Sequence, residues 1–177
     1  MDFGSILNTI MGSNSVSSLS SLTGTSEKDV SGVLSSVLPM LMNGAQGQAT
    51  NQETAQSFAN ALASHGKDDF TDLSSFLGNV DMDDGAKIVE HLLGKDGAAN
   101  AANNISAQSG VSANSITSIL SATAPLLMSM MGKQASAEAD EAPDGIDLGG
   151  IVGSLFGGGS GKDAAGGLGD LLSGLFK

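Results

Sequence analysis

The sequence predicts an all-α protein, and three observations carry that expectation. Apolar residues recur at helical spacing, most clearly in Val30, Val33, Leu34, Val37 and Leu41, which form one stripe of a helix. No stretch alternates apolar and polar residues over the length of a strand. Finally, SGVSANSITSILSATAPLLMSM (109–130) matches TGTSEKDVSGVLSSVLPMLMNG (23–44) without a gap, at an offset of 86. Gly24 pairs with Gly110, Ser26 with Ser112, Leu34 with Leu120 and Pro39 with Pro125. A fixed offset that includes glycine and proline points to two copies of one supersecondary unit, here a helical hairpin.

In chain order, Phe3, Ile6, Leu7, Ile10 and Met11 are spaced as a short helix, punctuated by Gly12 and Asn14. A second helix over 16–22 closes at Gly24, a residue suited to the left-handed conformation beyond a helix end. Ser26 is then an N-cap, with Asp29 adding negative charge to the first turn. Pro39 removes a backbone donor and crowds the carbonyl of Ser35, so the first long helix either kinks there or gives way to another. Pro125 and Ser121 pose the same choice in the second copy.

Residues 44–51 read as a polar connector, with Asn51 capping a helix that runs through Ser64 and ends at His65-Gly66. A turn over 67–69 precedes a short helix carrying Phe70, Leu73, Phe76 and Leu77. Asp81, Asp83 and Asp84 introduce a helix with Ile88, Val89, Leu92 and Leu93, stopped by Gly94. An alanine-rich helix over 98–108 leads into the second copy.

These elements give a compact all-α domain over 1–133. An acidic linker, QASAEADEAPDG (134–145), follows. The Gly-rich, weakly helical tail (146–177) repeats LGGIVGSLFG as LGDLLSGLFK, two short amphipathic helices for which packing at the rim of the main domain and an oligomer contact are both open.

Composition narrows the function more by exclusion than by indication. The formal net charge is −12, from 19 acidic and seven basic residues, and every basic residue is Lys. Affinity for nucleic acid comes largely from Lys and Arg on phosphates, so this balance argues against a nucleic-acid partner. Absence of Cys removes thiolate chemistry and Cys-ligated zinc. No cofactor and no metal are expected. Met1–Ser13 lacks a positive n-region, so a secretory signal is not expected and the chain reads as cytoplasmic. Residues 97–132 contain no charge, yet their Asn, Ser, Thr and Gln content favours a buried helix over a membrane span.

Each candidate site has a plainer role set against it. His65 and His91 are the two histidines, and no spacing supplies either with a nucleophile and an orienting partner. His65 beside Gly66 suits a helix C-terminus, and His91 a helix edge. Asn79, Asp81, Asp83 and Glu90 match part of a calcium-loop pattern, which fails where Asp84 replaces the required glycine. Capping of the next helix is the better account of those carboxylates. The glycines at 157–159 and 161 lack the following Gly-Lys-Ser/Thr of a phosphate loop. The two Gly-x-Ser turns resemble a helix-turn-helix, but Glu27, Lys28, Asp29 and Ala113, Asn114, Ser115 are poor groove readers. Met40, Met42, Met128, Met130 and Met131 are expected in the core.

Two stretches together carry a family resemblance. DGAKIVEHLLG (84–94), then the Gly110-Val111-Ser112 turn and SATAPLLMSMMG (121–132), resemble bacterial domain-of-unknown-function family 937, related to the YidB-like proteins. The resemblance spans about residues 1–135 and rests on apolar, Gly and Pro positions. It implies a fold and no reaction, substrate or cofactor. The expected function is a non-catalytic interaction or scaffold protein, binding a protein partner or self-associating through the tail. A nucleoid or regulatory protein comes second and an enzyme third; no catalytic residue is assigned, and any small-molecule ligand is unknown.

Overall fold

Helix α8 (Ala113–Glu141) is the axis of the structure. Every residue from Ile119 to Gly132 is buried, so this helix is apolar or small on all sides, as a helix surrounded by others must be. The computed structural model describes residues 3–141, with side chains from 4 to 136. Seven helices precede the axis: α1 (Phe3–Ile10), α2 (Ser13–Thr23), α3 (Glu27–Thr50), α4 (Ala55–His65), α5 (Leu73–Gly78), α6 (Met82–Leu93) and α7 (Lys95–Ser109). Each of the seven touches α8, most extensively α6 and α4. Among the described residues there is no strand, and the fold is all-α.

The surrounding helices bury one face each. On α3 the stripe Val30, Val33, Leu34, Val37, Leu38 and Leu41 is buried while Ser35, Ser36 and Pro39 are exposed. Phe58 and Leu62 of α4 are fully buried, as are Ile6 and Ile10 of α1. Met42, Met128, Met130 and Met131 lie in the core as expected, with Met40 partly buried beside it.

The two segments at offset 86 share local geometry. Gly24, φ 64°, ends α2, and Gly110, φ 75°, ends α7, both in the left-handed region where glycine is unstrained. Ser26 Oγ then accepts from the Asp29 amide at 3.2 Å, and Ser112 Oγ from the Ser115 amide at 3.1 Å. Pro39 and Pro125 each sit thirteenth in their helices, and both helices continue past them. The surroundings differ: Pro39 faces solvent and Pro125 is buried.

Four boundaries depart from the sequence reading. Residues 44–50 are no connector, because α3 continues to Thr50 with Ala45 and Ala49 buried. Gly44 permits this close packing: a β-carbon there would fall 2.5 Å from the Leu92 carbonyl oxygen of α6. Asn51 caps the end of α3 through its amide and accepts from the Glu53 amide at 2.9 Å, so α4 begins only at Ala55. Phe70 precedes α5, whose N-cap is Asp72. The stretch 134–141 of the expected linker is helical, as its Ala and Glu content favours. The rest of that linker and the tail over 146–177 lie outside the described residues.

One described helix, over Ala113–Ser136, is long and apolar enough to cross a membrane by length and composition, and 83% of its most apolar window is buried against the other helices. That window is more apolar than the Asn, Ser, Thr and Gln content of residues 97–132 suggests.

Candidate functional site

Two close helix crossings build the region around the histidines. At the C-terminus of α4, Gly66 meets Gly132 of α8, where a β-carbon on Gly66 would fall 2.7 Å from the Gly132 carbonyl carbon. On α6, Gly85 lies against the Ser121 carbonyl, too close for any side chain. Helices α4 and α6 thereby flank α8 and place His65 and His91 along one hollow.

That hollow has a volume of about 250 Å³. Ala61, Ile88, Leu92 and Met128 supply apolar surface, and Ser57, Lys87, His65 and His91 its polar edge. Lys87 and His91 are one turn apart on α6, as are Ile88 and Leu92, so one side of the helix presents a polar pair and an apolar pair together. No carboxylate lines the hollow, in a chain with 19 acidic residues. Gln48 of α3 fixes the end of α6 by donating Nε2–H to the His91 carbonyl at 2.8 Å.

His65 also borders a larger, polar cleft of about 580 Å³, lined by Asp68, Asp69, Asp81 and Asp84 among others. Its Nδ1 is 3.1 Å from Asp68 Oδ2, and the fully buried Ser129 donates its hydroxyl toward the same oxygen at 3.0 Å. Ser129 Oγ is also 2.9 Å from the Pro125 carbonyl, so one hydroxyl hydrogen serves two acceptors. A His–Asp pair orients an imidazole for proton transfer when a nucleophile meets the imidazole. Here the nearest bonded hydroxyl meets the carboxylate instead, and the trio ties the end of α4 to α8.

The other acidic residues serve the backbone. Asp81 accepts from the amides of Asp83, at 2.9 Å, and Asp84, at 3.2 Å, capping α6 as expected. Asp72 caps α5, and its hydrogen bond from the Ser75 hydroxyl, supported by backbone amides, lowers its carboxyl pKa below the ordinary value. Asp69 is lowered likewise, by the Thr71 hydroxyl first and its amide second. Next to Asp69, Lys133 sits over the Phe70 ring, 4.2 Å from its centroid.

The partial calcium pattern is dispersed: Asp81 is a cap, and Glu90 lines a separate hollow between α6, α7 and α8. Among the described residues no three His, Asp or Glu side chains are grouped to hold a metal ion. At the two Gly-x-Ser turns, Ser26 and Ser112 are helix caps, with exposed Glu27, Lys28 and Asp29 after the first. Sequence spacing missed the meeting of His65 with His91 and Lys87, and the roles of Asp68, Ser129 and Gln48. The helical period of Lys87 and His91 was the one available signal.

The arrangement defines a class: an all-α domain wound around one buried helix, with glycine-mediated crossings and a small cation-edged hollow. The profile of a bacterial protein family of unknown function, DUF937, matches residues 5–134, and the chain belongs to that family. The match takes in α2 to α7 whole and the buried part of α8. Neither a curated protein nor a solved structure matches the chain.

Proposed function

We propose that this is a non-catalytic interaction or scaffold protein of the cytoplasm, in which the helical domain is the body and the tail carries contact helices. The supporting observation is the hollow between α4 and α6. Its apolar floor and cationic edge suit an apolar, acidic segment of polypeptide. Its volume lies below the ~300–1,000 Å³ of ordinary small-molecule sites. The sequence adds two Leu- and Phe-bearing repeats in the tail, LGGIVGSLFG and LGDLLSGLFK, as elements able to join chains.

Light scattering of the full chain over a range of concentrations tests this. Mass should rise above the 17.5 kDa of one chain and fall back when Phe156 and Phe176 are both replaced by Ser. A mass fixed at the monomer value at every concentration, with and without those substitutions, removes self-association through the tail.

A further inference from the structure

We infer that the hollow between α6, α7 and α8 is a binding site for a free α-amino acid with a short hydroxylated side chain, a molecule the size of threonine. The site is separate from the hollow between α4 and α6, and it stands whether or not the chain joins partners.

One buried hydroxyl in this hollow is unbonded. A helix serine or threonine commonly returns its hydroxyl to the carbonyl four residues back. On α8, Thr117 does so to Ala113 and Ser129 to Pro125, both at 2.9 Å. Ser35, which holds the place of Ser121 in the other copy of the repeat, does so to Ser31 at 2.9 Å. Ser121 is 4% exposed and makes no hydrogen bond among the described residues. Its oxygen is not sealed in, as the unbonded hydroxyls of Thr25 and Thr123 are, and the space it lines is this hollow. A buried hydroxyl left unbonded costs free energy, and a ligand with a polar atom at that point recovers it.

The rest of the lining sets the class of ligand. Ala86 of α6 and Ala98 of α7 are small enough to leave about 210 Å³ open. Val89 and Leu120 are buried beside Ser121, so the base takes a methyl group and one hydrogen-bonding atom together. Glu90 and Lys95 are exposed at the rim, and neither has an ion-pair partner among the described residues. Helix α7 begins at Lys95 with no side-chain cap, so its positive pole adds to the ammonium charge. A lone amine would meet Lys95 as a like charge, and a lone carboxylate would meet Glu90. A molecule carrying both charges is matched at both. The volume, below the ~300–1,000 Å³ of ordinary sites, sets the size at a single amino acid.

Titrating the nitrogen-15-labelled full-length protein with L-threonine should move the amide signals of Val89, Ala98 and Ser121 along a saturable curve and leave those of α1 in place. Three analogues each lack one contact: L-valine the hydroxyl, 3-hydroxybutanoate the ammonium and 1-aminopropan-2-ol the carboxylate. Each should bind about fivefold more weakly, the effect of losing one hydrogen bond or charge contact. Ser121→Ala should bind L-threonine and L-valine equally and keep or raise the wild-type melting temperature, because the hydroxyl makes no bond in the fold. Absence of a saturable shift overturns the proposal. So does an analogue that binds as tightly as L-threonine, or a Ser121→Ala variant that still prefers L-threonine over L-valine. A lowered melting temperature in Ser121→Ala overturns it as well, by showing that the hydroxyl serves the fold. Glu90→Gln and Lys95→Gln change exposed residues, and each should weaken L-threonine by a similar factor. Unchanged affinity in either removes the doubly charged class of ligand.

Discussion

Gly85 of α6 lies against the carbonyl of Ser121, the carbonyl of α8 that Pro125 leaves without its helical amide donor. The two irregularities are one arrangement. Proline at 125 removes a hydrogen bond from the turn, and glycine at 85 lets a neighbouring backbone approach that turn. In α3 the corresponding carbonyl belongs to Ser35, an exposed residue.

Gly85→Ala should therefore destabilise the protein by about 1–3 kcal/mol, because the added carbon meets backbone that cannot rotate aside. Gly32→Ala is the control. Gly32 is an exposed residue of α3 where an added β-carbon would have nothing within 4 Å, and alanine there should stabilise by about 0.5–1 kcal/mol. Urea unfolding curves with equal slopes would establish both values. A neutral Gly85→Ala would show that the crossing relaxes and is not a fixed contact.

The twin prolines should respond in opposite directions. Pro39 faces solvent, so Pro39→Ala restores an amide and a better helix former at no packing cost, for a gain of up to about 3 kcal/mol. Pro125 is buried, and Pro125→Ala shrinks a core side chain beside a carbonyl already covered by Gly85. A loss of about 1–2 kcal/mol is expected, after the restored helix bond offsets part of the cavity. Thermal unfolding of the two variants beside wild type tests the contrast, and equal shifts of the same sign would refute it.

Acid stability follows from the lowered carboxyls of Asp72 and Asp69. A group whose folded pKa lies below its unfolded value binds fewer protons in the native state. Its contribution is complete above the ordinary value of 3.8 and is lost as pH falls through the lower folded value. Unfolding midpoints should thus hold between pH 6 and pH 5 and drop below pH 4. Asp72→Asn, which keeps a capping oxygen without titrating, should flatten the drop. An unchanged slope in that variant would place the acid sensitivity elsewhere.

How far the sequence could be read depended on whether a feature was local. Gly24 and Gly110, Ser26 and Ser112, Asp81 and the stop at Gly94 all act within a few residues, and each is where local chemistry put it. The length of α3 was not legible, because Gly44 looks like a breaker until Leu92 of α6 is laid against it. The unequal fates of Pro39 and Pro125 were equally hidden, since matching text says nothing of what covers each copy. The hollow needed three helices brought together, and only the Lys87–His91 spacing hinted at one wall of it.

The tie that holds His65 at the edge of that hollow can be measured directly. Ser129 is fully buried and shares one hydroxyl hydrogen between the Pro125 carbonyl and Asp68, whose side chain is 42% exposed. If Asp68 receives it, Ser129→Ala and Asp68→Ala remove the same bond, and a double-mutant cycle should give a coupling of about 1 kcal/mol. If the hydrogen stays within the helix on Pro125, the two changes act independently and the coupling falls within about 0.3 kcal/mol of zero. The geometry favours Asp68, because a carboxylate is the stronger acceptor at nearly equal distance, 3.0 against 2.9 Å. Paired substitutions followed by urea titration, at a pH well above the carboxyl range, decide between them.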